Sequence, residues 1–235
     1  MTARNNHSHA DHSLQMDRIY RRQRYIYDLS RKYFLFGRDR LVRQLGAKAG
    51  EQIVEIGCGT ARNLIRIARA YPGVQLYGLD ASAEMLRTAE AAIARAKLSD
   101  RIVLRQGLAE ELTPAAFGLQ RPFDHAIFSY SLSMIPDWRA ALAAASNSLK
   151  PDGFVHVVDF GDFKKFWGTF ERSFTAYLNL WHVTPRTDFL RALEAPGRSP
   201  EALALDLLTG RYAFVVKAVP SAILSRLQRS TGTSR

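Results

Sequence analysis

Between residues 54 and 61 the chain reads Val54-Glu55-Ile56-Gly57-Cys58-Gly59-Thr60-Ala61, an apolar run that ends in a glycine turn and leads into a helical pattern. Gly57 and Gly59 let the backbone turn sharply and approach a ligand with no Cβ in the way. Asp80 closes the next apolar run, 23 residues after Gly57, where a carboxylate can accept both hydroxyls of a ribose. Two later runs end in Gln106-Gly107-Leu108-Ala109 and Ser129-Tyr130-Ser131. Ligands of open α/β sheets bind at the carboxyl ends of the strands, so these ends point to one nucleoside pocket. A dinucleotide fingerprint would place a third glycine at position 62, and that residue is Arg62. Its bulk opposes close helix–strand packing and argues against a hydride-transfer cofactor.

The elements needed to position these residues are legible around them. Ile53–Ile56, Val74–Leu79, Ile102–Arg105, Phe123–Phe128 and Phe154–Asp159 are short apolar runs that read as strands. Helical spacing predicts helices through Leu64, Ile67 and Ala68, and from a Ser82 cap through Met85, Leu86, Ala89 and Ile93. Another is expected over Trp138–Leu149, closed by Pro151-Asp152-Gly153. Strands alternating with helices imply a parallel sheet covered on both faces. Leu203–Leu208 and Tyr212–Val219 meet at Thr209-Gly210 and read as a hairpin, giving the sheet an antiparallel edge. Ahead of this core, Ile19, Tyr20, Gln23, Tyr27 and Arg31 fall at helical spacing, and a short helix is expected over Arg38–Leu45. The expected divisions are a flexible tail over 1–15, one domain over 16–219 and an extension over 220–235. Within the domain, 16–48 reads as a helical lid, 49–160 as the cofactor-binding core, and 161–219 as a substrate helix region with the terminal hairpin.

The acidic-x-Gly-x-Gly loop led by Glu55 is similar to that of the class I S-adenosylmethionine-dependent methyltransferases, with Ala61 where those enzymes usually carry a further glycine. The resemblance implies a Rossmann-like sandwich whose seven-stranded, mostly parallel sheet ends in an antiparallel hairpin beneath an N-terminal helical lid. It also implies a donor held by Glu55, Gly57, Cys58, Gly59 and Asn63 at the loop, and by Asp80, Ala81 and Met85 at the second strand end. Gln106, Gly107 and Leu108 would then grip the adenine, and Ser129 would lie beside the reactive methyl.

A narrower likeness lies in Arg22-Gln23-Arg24-Tyr25-Ile26-Tyr27-Asp28-Leu29-Ser30-Arg31-Lys32-Tyr33 and Phe36-Gly37-Arg38-Asp39-Arg40. This segment resembles the entry of bacterial betaine-lipid N-methyltransferases. Ser129–Trp138, His156–Asp162 and His182–Arg186 are similar to that family as well. The resemblance implies trimethylation of the headgroup amine of diacylglyceryl-homoserine, with Tyr27 and Arg38 reaching the donor's carboxylate as the lid closes. Methyl transfer to an amine asks for alignment and a neutral lone pair rather than a strong base. Tyr130, His182 and Asp159 are the candidate proton acceptors. Tyr27, Tyr130 and Trp181 could form an aromatic wall for the methylated ammonium, and Arg31 and Arg186 are candidates for the substrate's own carboxylate. A phosphatidylethanolamine N-methyltransferase and a small-molecule or quinone methyltransferase remain the alternatives.

Composition bounds these readings. The 235 residues carry 33 Lys and Arg against 22 Asp and Glu, a net +11. Nine basic and two acidic residues between Arg18 and Arg43 supply +7 of it. Such a segment suits an anionic membrane surface, whereas no nucleic-acid-binding motif is present, so no nucleic-acid partner is expected. The expected partner is a membrane lipid, with possible cooperation with the enzyme that makes the homoserine lipid; oligomeric state stays open. With a polar start and no long apolar stretch, the chain is expected to be cytoplasmic and peripheral to the membrane. One cysteine, Cys58, excludes an internal disulfide and a cysteine-rich metal site, and no metal is expected. Phe163, Phe166, Trp167, Phe170, Phe174, Tyr177, Leu178 and Trp181 fall on one helical face, which suits either the core or a lipid surface. Ile223, Leu224 and Leu227, beside Arg226 and Arg229, suggest a short surface helix in the extension.

Overall fold

The computed structural model describes residues 35–164, 173–174, 176–178, 183–196 and 202–231. The expected tail and most of the lid, including Tyr27 and Arg31, lie outside the described residues, as do Phe166, Trp167, Phe170, Trp181 and His182.

Seven strands form one sheet: β1 (Gln52–Ile56), β2 (Gln75–Asp80), β3 (Ile102–Gln106), β4 (Phe123–Ser129), β5 (Leu149–Phe160), β6 (Leu203–Leu208) and β7 (Ala213–Ala218). Their order is β3-β2-β1-β4-β5-β7-β6. β1 through β5 run parallel, and β7 is antiparallel to both β5 and β6. The expected sheet and its edge hairpin are therefore present. Ile56 registers with Leu79 on one side and Phe128 on the other. That register brings Gly57, Asp80 and Ser129 to the same edge of the sheet, where the strand order reverses and a crevice opens.

Successive side chains of a strand point to opposite faces, and here each face carries its own core. Ile53, Ile127 and Val158 pack on one side with Leu64, Ile67 and Ala89. These come from α2 (Arg62–Ala70) and α3 (Ala83–Arg95), and α1 (Arg38–Gln44) joins them through Leu41 and Val42. Val54, Phe128 and Val157 pack on the other side with Leu142, Phe189 and Ile223. Those three belong to α4 (Trp138–Asn147), α5 (Thr187–Glu194) and α6 (Pro220–Thr231). Two helix starts are capped, the first as expected: Ser82 Oγ accepts from Met85 N (3.3 Å) and Asp137 Oδ1 from Ala140 N (3.0 Å).

Two expectations change, and one open alternative narrows. Pro151-Asp152-Gly153 does not separate helix from strand. β5 begins at Leu149, and the register with β4 slips between Phe123 and His125, so the extra residues are accommodated opposite Asp124. The predicted surface helix, α6, is packed: Ile223 is fully buried and Arg226 nearly so, against α4, α5 and β5. Of the described residues of the aromatic stretch, Phe163, Phe174 and Leu178 turn inward. Phe163 and Leu178 are buried, and Phe174 meets Phe163 and Tyr212 with ring centroids 5.3 and 5.4 Å apart. Tyr177 lies at the exposed margin.

Candidate active site

The glycine turn is tied to β2 by two bonds to one carbonyl, Gly57 N and Cys58 N donating to Leu79 O at 2.8 and 3.0 Å. Asp80 then secures both neighbouring turns: Oδ2 accepts from Gly59 N (2.8 Å) and Oδ1 from Ser82 N (2.9 Å). Gly57 has φ +71°, and a Cβ on it would stand 2.6 Å from Ser131 Cβ, so no other residue fits. Ala61 takes the left-handed conformation at φ 60° that opens α2, a strain of roughly 1–2 kcal/mol for a residue with a Cβ. Glu55 is buried and its Oε1 accepts from Asn63 Nδ2 at 2.7 Å, which aims the asparagine along the loop. Arg62, where a dinucleotide site would have glycine, points to α1 and pairs with Asp39 at 3.4 Å.

A cleft opens above this turn. Asp80, Ala81 and Met85 line it from the end of β2, Gly107 and Leu108 from the end of β3, and Tyr130 and Ser131 from the end of β4. An adjoining groove is lined by Arg38, Glu55, Cys58, Asn63 and Ser129. All the expected donor residues within the described part therefore border one of the two spaces, except Gln106. Its side chain is exposed and donates to Ala81 O at 3.1 Å, bracing the β2–α3 turn instead of holding a base. Sequence reasoning missed Glu110, Met134, Ile135 and Pro136, which also line the cleft. Their signals were that they follow the ends of β3 and β4 and, for Met134, Ile135 and Pro136, that they lie within the Ser129–Trp138 block.

The chemistry of the lining can be tested against a nucleoside ligand. A carboxylate closes β2 where a ribose would lie, and Ala81, Met85 and Leu108 give an apolar slot suited to a flat base. Ser129 and Ser131 are 5% exposed, and their hydroxyls have no partner among the described residues. A buried hydroxyl left unbonded is costly, and a polar ligand in these spaces would satisfy both. The residues fit a charged nucleoside.

Residues 54–155 match a family described as a methyltransferase domain. Over that stretch the chain has the sequence of a methyltransferase domain. It is 34% identical over 139 residues to the ubiquinone/menaquinone biosynthesis C-methyltransferase UbiE of Syntrophotalea carbinolica, covering 57% of this chain and 56% of that protein. It is 26% identical to the demethylmenaquinone methyltransferase of Tropheryma whipplei over 72% of this chain and 69% of that one. The YcgJ protein of Bacillus subtilis shares the fold with a TM-score of 0.55 at 18% identity, over 85% of this chain and 84% of that one. The chain thus spans little more than half of the first relative. S-adenosylmethionine is the cofactor of the methyltransferase domain.

At the acceptor end the side chains have other duties than the sequence suggests. Tyr130 sits at φ 56° and donates its hydroxyl to Phe36 O at 2.6 Å, with its ring edge-on to Phe160 at 4.7 Å. Burial, and then the charge of Asp159, raise its pKa well above 10.0. A phenol so placed stays neutral, which corrects its reading as a proton acceptor. Asp159 is fully buried and pushed up to about 6 by that burial. Its oxygens accept from Ser133 N (3.0 Å) and Phe160 N (2.8 Å), and it does not line the cleft. Arg186 donates from Nε to Leu132 O (2.9 Å) and from Nη2 to Ile135 O (2.6 Å), so its fork is engaged by the chain and not offered to a substrate carboxylate. Arg38 is buried and donates from Nε to Leu35 O at 3.3 Å, with its side chain on the groove beside Glu55 and Asn63.

Proposed function

We propose that this methyltransferase domain methylates the headgroup amine of a membrane lipid, diacylglyceryl-homoserine, and carries it to the trimethylated betaine lipid. The donor supplies an activated, electrophilic methyl group; binding, alignment and exclusion of water fall to the chain. Tyr130 carries the reading. It presents a buried, neutral ring at the inner end of the cleft with its proton engaged by Phe36. That wall suits an acceptor that brings its own lone pair and becomes a cation, which an aromatic face attracts by about 0.5–2 kcal/mol. An α-amino group with a pKa of roughly 7.7–8.0 is already about a tenth neutral at pH 7 and releases its proton to water before transfer. The blocks around Tyr27, Tyr130, Asp159 and Arg186 that resemble betaine-lipid enzymes support the same acceptor.

A second reading, C-methylation of a demethylated quinone, is favoured by the curated relatives, whose names say that they act in ubiquinone and menaquinone synthesis. The two differ in what the acceptor must lose, since a carbon acceptor has to give up a proton to some group of the site. Purified chain is incubated with S-adenosylmethionine and, in separate micelles, diacylglyceryl-homoserine, phosphatidylethanolamine or demethylmenaquinol, with products read by mass spectrometry. A gain of three methyl groups on the homoserine lipid is expected. Turnover of demethylmenaquinol alone, or of the ethanolamine lipid alone, would overturn the proposed acceptor.

A diacyl acceptor stays in its membrane, so the proposal includes reversible docking on an anionic surface. The +7 of Arg18–Arg43 supports it, at about 1 kcal/mol per surface cation. Two of those cations are subtracted, because Arg38 is buried and Arg40 pairs with Asp206 at 2.7 Å, whereas Arg43 is exposed. Sedimentation with anionic vesicles should fall steeply as salt rises and should survive competition by RNA; binding that RNA abolishes at low salt would overturn the docking proposal.

A further inference from the structure

We propose that Arg186 is a positioning residue for the methyl-transfer reaction: it holds the turn after β4 so that Ser131, Met134 and Ile135 close one wall of the donor cleft. The inference rests on the donor-cleft assignment and not on the identity of the acceptor.

The turn over 130–136 has two faces. One lines the cleft through Tyr130, Ser131, Met134, Ile135 and Pro136. The other meets the segment just before α5, which satisfies three of the turn's carbonyls: Arg186 Nε reaches Leu132 O at 2.9 Å, Thr184 N reaches Ser133 O at 2.9 Å, and Arg186 Nη2 reaches Ile135 O at 2.6 Å. Asp159 accepts a further hydrogen bond from the same stretch, from Ser133 N at 3.0 Å. Leu132 and Ser133 are almost fully buried, so water cannot replace these partners cheaply. The placement of Arg186 is fixed in turn by α5, whose Phe189, Leu190 and Leu193 are fully buried and whose Leu190 N bonds Arg186 O at 3.0 Å.

The tolerance on the other side is small. Gly57 lies so close to Ser131 that even an added Cβ would stand 2.6 Å from that side chain. A turn released from Arg186 would move against or away from the glycine loop, and the donor would feel it directly. A planar guanidinium addresses the two carbonyls, three positions apart, from two nitrogens held in one rigid fork, whereas an ammonium has to reach both from a single nitrogen on a flexible stem. Lysine at 186 would keep the charge and lose the fork.

Calorimetry of S-adenosylhomocysteine binding to the full chain provides the test, on wild type, Arg186→Lys, Arg186→Gln and a control, Arg139→Gln. Arg139 bridges α4 to α5 through Asp188 at 2.7 Å and does not line the cleft. Loss of two buried bonds should weaken the product's affinity about tenfold in Arg186→Gln and by a smaller factor in Arg186→Lys. The control should stay within about twofold even where its melting temperature falls as far. A merely structural arginine would lower the melting temperature and leave the affinity of the folded protein alone, and that result in Arg186→Lys overturns the inference. Arg186→Lys decides alone if Arg186→Gln does not fold. Absence of binding by wild type would overturn the donor cleft together with the inference, whereas wild-type binding with indifferent variants overturns the inference only.

Discussion

Tyr130 shows how far a residue's type and its duty can part. A tyrosine at the carboxyl end of β4, beside the donor, has the chemistry of a proton acceptor, but its hydroxyl donates to Phe36 O at 2.6 Å and its ring packs on Phe160. Removing only the oxygen should therefore leave the chemical step largely in place. Tyr130→Phe is expected to lower kcat by less than about tenfold, the scale of one hydrogen bond, and to leave the pH–rate profile unshifted. A loss of several orders of magnitude, or disappearance of the limb along which rate rises with pH, would restore Tyr130 as the base. Asp159 and Arg186 teach the same lesson. The sequence reading gave both a role at the acceptor, but their partners are main-chain groups of Leu132, Ser133, Ile135 and Phe160. No side-chain pattern announces such partners. The donor side was more legible, because Gly57 and Asp80 act through backbone geometry and strand-end position, which motif and spacing both encode.

At the scale of elements, β4 and β5 bring two histidines together at mid-strand, His125 Nδ1 lying 3.0 Å from His156 Nε2 and His125 Nε2 lying 3.1 Å from Glu51 Oε2. One pair of neutral tautomers satisfies both contacts, His156 donating to His125 and His125 to the carboxylate. Burial lowers both pKa values, that of His156 further because His125 and Lys217 are close. A histidine held neutral when folded and free to protonate near 6.5 when unfolded contributes stability that is complete above 6.5 and is lost as pH falls below it. Asp159, raised from 3.8 to about 6, has the opposite sign, since only the folded chain takes up its proton between those values. Two groups oppose one, so unfolding in urea should show a loss of about 1–2 kcal/mol between pH 6.5 and 5.5. The loss should be steeper in Asp159→Asn. Stability that rises on acidification over that range would contradict the neutral pair. Strand pairing of this kind was readable in outline, since alternation of short apolar runs and amphipathic stretches set all seven strands. The Pro151-Asp152-Gly153 run misled because a slip in register against Asp124 leaves no trace in periodicity.

For the molecule as a whole, net charge counts cations without asking what they do. Arg211 is held between Asp162 and Glu194 at 2.6 and 2.7 Å, Arg101 donates to the carbonyls of Ala68 and Tyr71, and Arg226 is buried in α6. Much of the excess is thus part of the fold, and the burial of Arg226 changes the meaning of the C-terminal segment. The pattern of Ile223, Arg226 and Leu227 is amphipathic in either setting, and an amphipathic helix reads the same whether its apolar side meets lipid or a neighbouring helix. The structure places that side against α4, α5 and β5, where Ile223 is fully enclosed and Ala222 and Leu227 pack at the margin. Ile223→Ala should then cost about 2–4 kcal/mol of folding stability. Vesicle binding of the folded variant should equal that of wild type. If the helix served the membrane instead, the substitution would leave the urea midpoint unchanged and weaken sedimentation with vesicles, so the two measurements on one variant separate a structural helix from a docking one.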